Sequence, residues 1–143
     1  MTIGIKLPLA GDRYEHVRGV PLTRLIQQLS ACSIGIAPLS PAVAINHARS
    51  SIKLKEYAAA GVPWLASPIG PYAGLGEREG GRLVAEDRWF EELDALVRGD
   101  RLRRRLAKRA QRWGRAQLLS RNIDRWEREL AWAVAHADAP AAA

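Results

Sequence analysis

The segment 46–70, NHARSSIKLKEYAAAGVPWLASPIG, gathers the residues best suited to chemistry. Asn46, Arg49, Ser50 and Ser51 precede a helical pattern whose first turns hold Ile52, Lys53 and Glu56. The first turn of a helix leaves backbone N–H groups without partners and carries the positive end of the helix dipole. Arg49 and Lys53 add two cations, so this stretch suits a phosphate or diphosphate. Glu56 follows Lys53 at i+3 and shares its helix face. A carboxylate one turn inside the helix can accept hydrogen bonds from a ribose diol. Phosphate at the helix mouth and ribose one turn along describe a nucleoside-diphosphate pocket. Two plain alternatives stand beside it, and local chemistry alone favours them. Lys53 and Glu56 make a surface ion pair worth ~0.3 kcal/mol, or Ser50 or Ser51 serves only as a helix N-cap.

Other chemistry finds little support. The chain has no glycine-rich Walker loop, no Gly-x-Gly-x-x-Gly after a strand and no Gly-x-Ser-x-Gly elbow. His16, His47 and His136 are far apart and lack metal-ligand spacing, so no metal is expected. Cys32 is the only cysteine, which excludes an intrachain disulfide, and it reads as a small buried hydrophobe.

The elements that must position segment 46–70 can be read from periodicity. Short strands are expected over 2–7 and 14–18. A helix begins after Pro21, with Leu22, Leu25, Ile26 and Leu29 on one face. A strand over 34–37 runs into the loop that carries Asn46 and Arg49. A helix over 50–60 is stopped by Gly61 and Pro63. A strand over 62–66 leads to a loop over 67–81 that contains Ser67 and Gly70, and a strand over 82–85 follows. Three helices close the chain. Phe90, Leu93 and Leu96 or Val97 should face inward in the first. Leu102, Leu106, Ala110, Trp113 and Gln117 form the inward stripe of the second, and Leu119, Ile123, Trp126, Leu130 and Val134 that of the third. Trp113, Trp126 and Trp132 read as packing residues between helices. Strands alternating with helices argue for βαβ units and a parallel sheet. In such sheets ligands bind beyond the carboxyl ends of the strands, which is where the 46–53 loop falls.

With 143 residues, 48% apolar and 26% charged, the composition is globular and suits one domain. No apolar run reaches the ~20 residues of a membrane span, and residues 1–9 do not read as a signal peptide, so a cytoplasmic protein is expected. The net charge of +7 is uneven: residues 1–98 balance at +1 and residues 99–143 at +6. Arg101, Arg105, Lys108, Arg112 and Arg115 form a cationic stripe at helical spacing. Its simplest reading is a solvated face. Peripheral contact with an anionic membrane comes second. Nucleic acid comes last, for aromatics are only 6% and no nucleic-acid-binding pattern appears.

The strand piece Ser33-Ile34-Gly35-Ile36-Ala37-Pro38-Leu39 and the helix piece Glu56-Tyr57-Ala58-Ala59-Ala60-Gly61, running into Val62-Pro63-Trp64-Leu65-Ala66-Ser67, resemble a known pattern. It is that of the donor-binding C-terminal domain of GT-B glycosyltransferases, in the large family of retaining, sugar-nucleotide-dependent enzymes. The resemblance covers about 21–130. It implies an α/β fold: a partial Rossmann-like parallel sheet with helices on both faces and a C-terminal helical cap. It implies a nucleotide-sugar-binding unit over 1–98, basic helices packed on it over 99–137, and a disordered tail over 138–143. The implied ligand is a nucleoside-diphosphate sugar, as donor substrate rather than cofactor. Glu56 then maps to the ribose contact, Arg49, Ser50, Ser51, Ile52 and Lys53 to the diphosphate site, and Ser67 and Gly70 to the loop beside it. Asn46, Arg49, Ser50, Lys53, Glu56 and Tyr57 fit a branch with the pattern N-x-x-K-S-x-x-K-x-x-E-Y. Two positions depart. Ser33 stands where an Asp is usual, and Ala48 stands where many members carry a second glutamate that contacts the transferred sugar. The family's acceptor-binding N-terminal domain has no counterpart in these 143 residues. The expectation is therefore a donor half incomplete for catalysis alone, with a non-catalytic interaction module that docks on a partner chain or on itself as the alternative.

Overall fold

The computed structural model describes residues 1–3, 6–8 and 11–136. In chain order it holds β1 (Thr2–Ile3), β2 (His16–Val17), α1 (Leu22–Ser30), β3 (Gly35–Ala37), α2 (Ile52–Ala59), β4 (Trp64–Ala66), β5 (Gly81–Leu83), α3 (Trp89–Arg98), α4 (Asp100–Ala116) and α5 (Ile123–Ala135). Short 3-10 turns at Ala44–His47, Gly70–Tyr72 and Glu86–Arg88 lie in the loops after β3, β4 and β5 respectively. The strand expected over 2–7 falls partly on residues outside those described, as does the tail over 138–143.

The chain is α/β and, among the described residues, every strand pair is parallel. The single sheet expected from the sequence is instead two: β1 pairs with β2, and β3, β4 and β5 form a separate three-stranded sheet in that order. The β1–β2 pair is held by polar contacts. Thr2 Oγ1 lies 3.0 Å from the Tyr14 hydroxyl and 3.1 Å from His16 Nδ1.

The core is built around β4, where Trp64, Leu65 and Ala66 are all fully buried. Successive side chains of a strand point to opposite faces. Trp64 and Ala66 accordingly join Ala37, Leu54 and Tyr72, while Leu65 joins Val84, Leu96 and Leu106. The central strand is thus covered on both faces, by α2 on one side and by α3 and the first half of α4 on the other. That explains why segment 62–66 carries no polar alternation.

Helix α2 is also clamped from outside. Tyr57 lays its ring against Gly35 and donates its hydroxyl to the Ile36 carbonyl at 2.9 Å. Burial pushes its phenol up to about 12. On the α4 side, Gly114 is buried against Ala58; a Cβ there would lie 2.5 Å from the Ala58 carbonyl carbon. Glycine therefore sets the distance between α2 and α4.

An ionic cluster ties α4 to the loop before β5. The Glu77 carboxylate meets Arg82 at 3.0 Å, Arg109 at 3.1 Å and Arg105 at 3.6 Å, and Arg82 also reaches Glu92 at 3.0 Å. Partial burial by itself would raise the Glu77 pKa. The Arg82 hydrogen bonds and the charges of Arg82, Arg105 and Arg109 outweigh it and hold the carboxyl below its ordinary value.

Three expectations about packing need correction. In α3 the inward face is Trp89, Leu93 and Leu96, whereas Phe90 is 82% exposed and Val97 is exposed. Positions i, i+4 and i+7 from Trp89 fall within one narrow stripe, and Phe90 and Val97 lie to its side. In α1 only Leu29 is buried, and Leu22 is largely exposed. Helix α5 does not cap the sheet: Ile123, Trp126, Leu130, Trp132 and Val134 are all exposed. Trp113 packs on the core as expected, but Trp126 and Trp132 do not. A turn separates α5 from α4. There Asn122 Nδ2 donates to the carbonyls of Ala116 and Leu118, at 2.9 and 2.8 Å, and the chain breaks before α5 begins.

Candidate functional site: the loops beyond the strands

Strands β3, β4 and β5 run parallel in register, so Ala37, Ala66 and Leu83 end at one edge of the sheet. The loops that follow them meet there and enclose a pocket of about 510 Å³. Pro38, Leu39, Ser40 and Pro41 come from the first loop, Ser67, Pro68 and Ile69 from the second, and Val84, Ala85, Glu86 and Trp89 from the third. A cleft at the carboxyl ends of parallel strands is the general ligand position in open α/β sheets, and the volume lies within the ~300–1,000 Å³ of small-molecule sites.

Two contacts hold the first and second loops together. The Leu39 N–H donates to Ser67 Oγ at 2.8 Å. Gly70, at φ +51°, packs so tightly on the Ala44–His47 turn that a Cβ would lie 2.7 Å from the Asn46 carbonyl oxygen. Asn46 is buried and donates its side-chain amide to the Ser40 carbonyl at 3.0 Å. Of the nine residues singled out from sequence, Asn46, Ser67 and Gly70 thus belong to the frame that shapes the pocket, and Ser67 lines it.

The other six do not line it; they lie in the loop before α2 and in its first turns. Arg49, Ser50, Ile52 and Lys53 are exposed, while Ser51 and Glu56 are half-buried. Ser51 occupies the cap position, yet its hydroxyl makes no capping bond. The backbone N–H groups of Ile52 and Lys53 therefore face outward without a side-chain cap. Neither Lys53 nor Glu56 is paired: among the described residues no ion pair involves Arg49, Lys53 or Glu56. The Lys53–Glu56 ion pair is absent, and so is the serine cap bond. Arg49 lies near Tyr72, whose phenol burial raises and the Arg49 charge partly restores. The α2 mouth consequently offers two unpaired cations, free N–H donors and a nearby carboxylate, and the chemistry it suits is anion binding.

Sequence reasoning missed most of the pocket, Glu86 and Trp89 above all. The signal was available: the rule of carboxyl ends, applied to β3, applies equally to the residues after β5. Among the described residues no cluster of three His, Cys, Asp or Glu side chains is placed to hold a metal ion, and no helix is long and apolar enough to cross a membrane.

No protein-family model matches the chain, and none of the curated proteins matches it. Its site is therefore read from its own chemistry.

Proposed function

We propose that this chain is the donor-binding part of a glycosyltransferase of the GT-B kind, with a Rossmann-like α/β unit that takes a nucleoside-diphosphate sugar. The observation that carries the reading is the α2 mouth: Arg49, Lys53 and Glu56, all unpaired, stand in the loop and first turns of the helix that follow the carboxyl end of β3. The diphosphate would sit on Arg49, Lys53 and the open N–H groups of Ser51, Ile52 and Lys53. The ribose diol would bond Glu56. In the reaction the anomeric C–O bond to phosphate breaks and the nucleoside diphosphate leaves with the electron pair. A new C–O bond forms to an acceptor hydroxyl, whose proton passes to the departing diphosphate oxygen. Arg49 and Lys53 would stabilise the charge that grows on the leaving diphosphate. Retention of configuration rests on the sequence resemblance alone, and the acceptor site belongs to a further domain or partner chain. Calorimetric titration with UDP, GDP and ADP tests the reading. Binding by at least one, weakened at least tenfold in an Arg49→Ala/Lys53→Ala variant, is the expected result. Absence of binding by all three, in a sample shown to be folded, would reject it.

A second reading is favoured by one observation at the other end of the molecule. Arg101, Lys108, Arg112 and Arg115 of the α4 stripe have no ion-pair partner among the described residues, Arg105 alone being tied to Glu77, and α5 exposes Trp126, Leu130 and Trp132. An unpaired cationic stripe on one helix and exposed apolar residues on the next suit peripheral contact with an anionic lipid surface. Co-sedimentation with phosphatidylserine vesicles, lost at high salt and in an Arg101→Glu/Lys108→Glu/Arg112→Glu variant, is the corresponding test. Equal sedimentation of variant and parent would dismiss it.

A further inference from the structure

Buried polar side chains find partners within the protein, with one departure among the described residues. Asn46 donates to the Ser40 carbonyl, Ser67 Oγ accepts the Leu39 N–H, and Trp64 Nε1 donates to the Glu79 carbonyl. The hydroxyls of Tyr14 and Tyr57 are likewise engaged. Tyr72 is the departure: it is 3% exposed, and its hydroxyl bonds nothing in the protein. Yet no side-chain polar atom sealed from solvent lacks a partner among the described residues. The Tyr72 ring is therefore buried while its oxygen opens at the surface. A phenylalanine would fill the same place in the core without carrying a hydroxyl there.

Packing sets where that oxygen opens. Tyr72 ends the Gly70–Tyr72 turn, which Gly70 holds against the Ala44–His47 turn. Its ring belongs to the core cluster of Ala37, the last residue of β3, and Leu54, in the first turn of α2. Arg49 stands near enough for its charge to offset part of the rise in pKa that burial causes. The phenol keeps its proton at neutral pH and can donate it. A hydroxyl donor beside an unpaired guanidinium and an uncapped helix start complements an anion. Arg49 and Lys53 are exposed, flexible side chains, which hold an anion as movable charges. Tyr72 is anchored in the core, has two side-chain torsions, and loses little freedom on bonding a ligand.

We infer that Tyr72 is a binding residue of the α2 mouth, whose O–H donates to a phosphate oxygen held by Arg49 and Lys53 and so fixes where the phosphate sits. Tyr72 is not among the residues that the sequence resemblance maps to the site. That the phosphate belongs to a nucleotide rests on the donor reading above; the part played by Tyr72 toward a phosphate does not.

The test is calorimetric titration of inorganic pyrophosphate into the parent, Tyr72→Phe and Arg49→Ala/Lys53→Ala, each at about 50 and 500 mM salt. Tyr72→Phe should bind about tenfold more weakly than the parent, the loss of one hydrogen bond to a charged group. Its salt dependence should match the parent's, since no charge is removed, whereas that of the double variant should flatten. The hydroxyl has no protein partner, so Tyr72→Phe should melt with the parent. No pyrophosphate binding by the parent, equal affinity in Tyr72→Phe, or a loss of affinity matched by a lowered melting temperature would each overturn the inference. UDP, GDP and ADP are titrated into the same proteins. Failure of all three beside intact pyrophosphate binding removes the donor reading and leaves Tyr72 in its place. Nucleotide binding that is equal in the parent and Tyr72→Phe removes Tyr72 and leaves the donor reading.

Discussion

Leu39 and Ser67, 28 residues apart in the chain, are joined by a 2.8 Å hydrogen bond from the Leu39 N–H to the buried Ser67 hydroxyl. It locks the loop after β3 to the loop after β4, and so sets the width of the pocket between them. Ser67→Ala leaves that N–H without its partner. The loss should cost about 1–2 kcal/mol of stability, read as a lower urea midpoint at unchanged slope. An unchanged midpoint would mean that the bond holds nothing.

The distance between α2 and α4 is set by Gly114. Gly114→Ala should lower stability by about 1–3 kcal/mol, because the added methyl meets backbone rather than a flexible side chain. Gly19→Ala is the control, since nothing lies within 4 Å of the Cβ position there. Thermal melts of the two variants should separate clearly; coincident melts would contradict the close approach.

Glu77 links three arginines, two of them on α4. Its folded-state pKa is depressed, so its contribution is fully present above the ordinary carboxyl value of 4.5 and fades as pH falls below it. The carboxylate is more than a third exposed, and the whole effect is about 1 kcal/mol or less. Glu77→Gln should lower the melting temperature at pH 7 and narrow its gap to the parent below pH ~4. A constant gap across that range would show that the charge of Glu77 is not what matters.

Leu106 is fully buried between the sheet and α3, whereas Trp126 stands exposed on α5. Leu106→Ala should therefore cost about 2–5 kcal/mol. Trp126→Ala, although it deletes more atoms, should stay within about 0.5 kcal/mol. A large loss on removing Trp126 would restore α5 to the role of a packed cap.

At the α2 mouth, attraction between a diphosphate and two exposed cations is screened by salt. Nucleotide affinity should fall several-fold between 50 and 500 mM salt. Glu56→Gln should weaken nucleotides while leaving inorganic pyrophosphate unaffected. An equal loss for both ligands would detach Glu56 from the ribose.

The order of strands and helices was legible in the sequence, because apolar runs such as Val62 to Ala66 and stops such as Gly61 and Pro63 are local signals. The α4 stripe through Leu106 and Ala110 was legible for the same reason. The inward face of α3 was misjudged because Trp89 and Phe90 are adjacent and both apolar, and only the neighbouring sheet decides which turns in. The exposure of α5 could not be read at all: its Ile123, Trp126, Leu130 and Val134 stripe has the same spacing as a packed helix. The unpaired state of Lys53 and Glu56 was equally invisible, since i+3 spacing permits a pair without enforcing one. Glu86 could have been found from the rule of carboxyl ends applied to β5, but its place in one pocket with Ser67 is fixed only once β4 and β5 pair.

The tryptophans form a graded series, from Trp64, sealed in the core with its Nε1 donating to the Glu79 carbonyl at 3.2 Å, to Trp126 and Trp132 in solvent. The molecule thereby carries its own optical gauge. Trp126 and Trp132 are exposed, Trp132 stacking on the His136 ring at 4.6 Å, so their emission does not report the core. Replacing both with phenylalanine leaves Trp64, Trp89 and Trp113, whose emission reports the core and the wall of the pocket. In that variant a red shift would follow unfolding, and a change in intensity at constant wavelength would follow a change in the surroundings of Trp89.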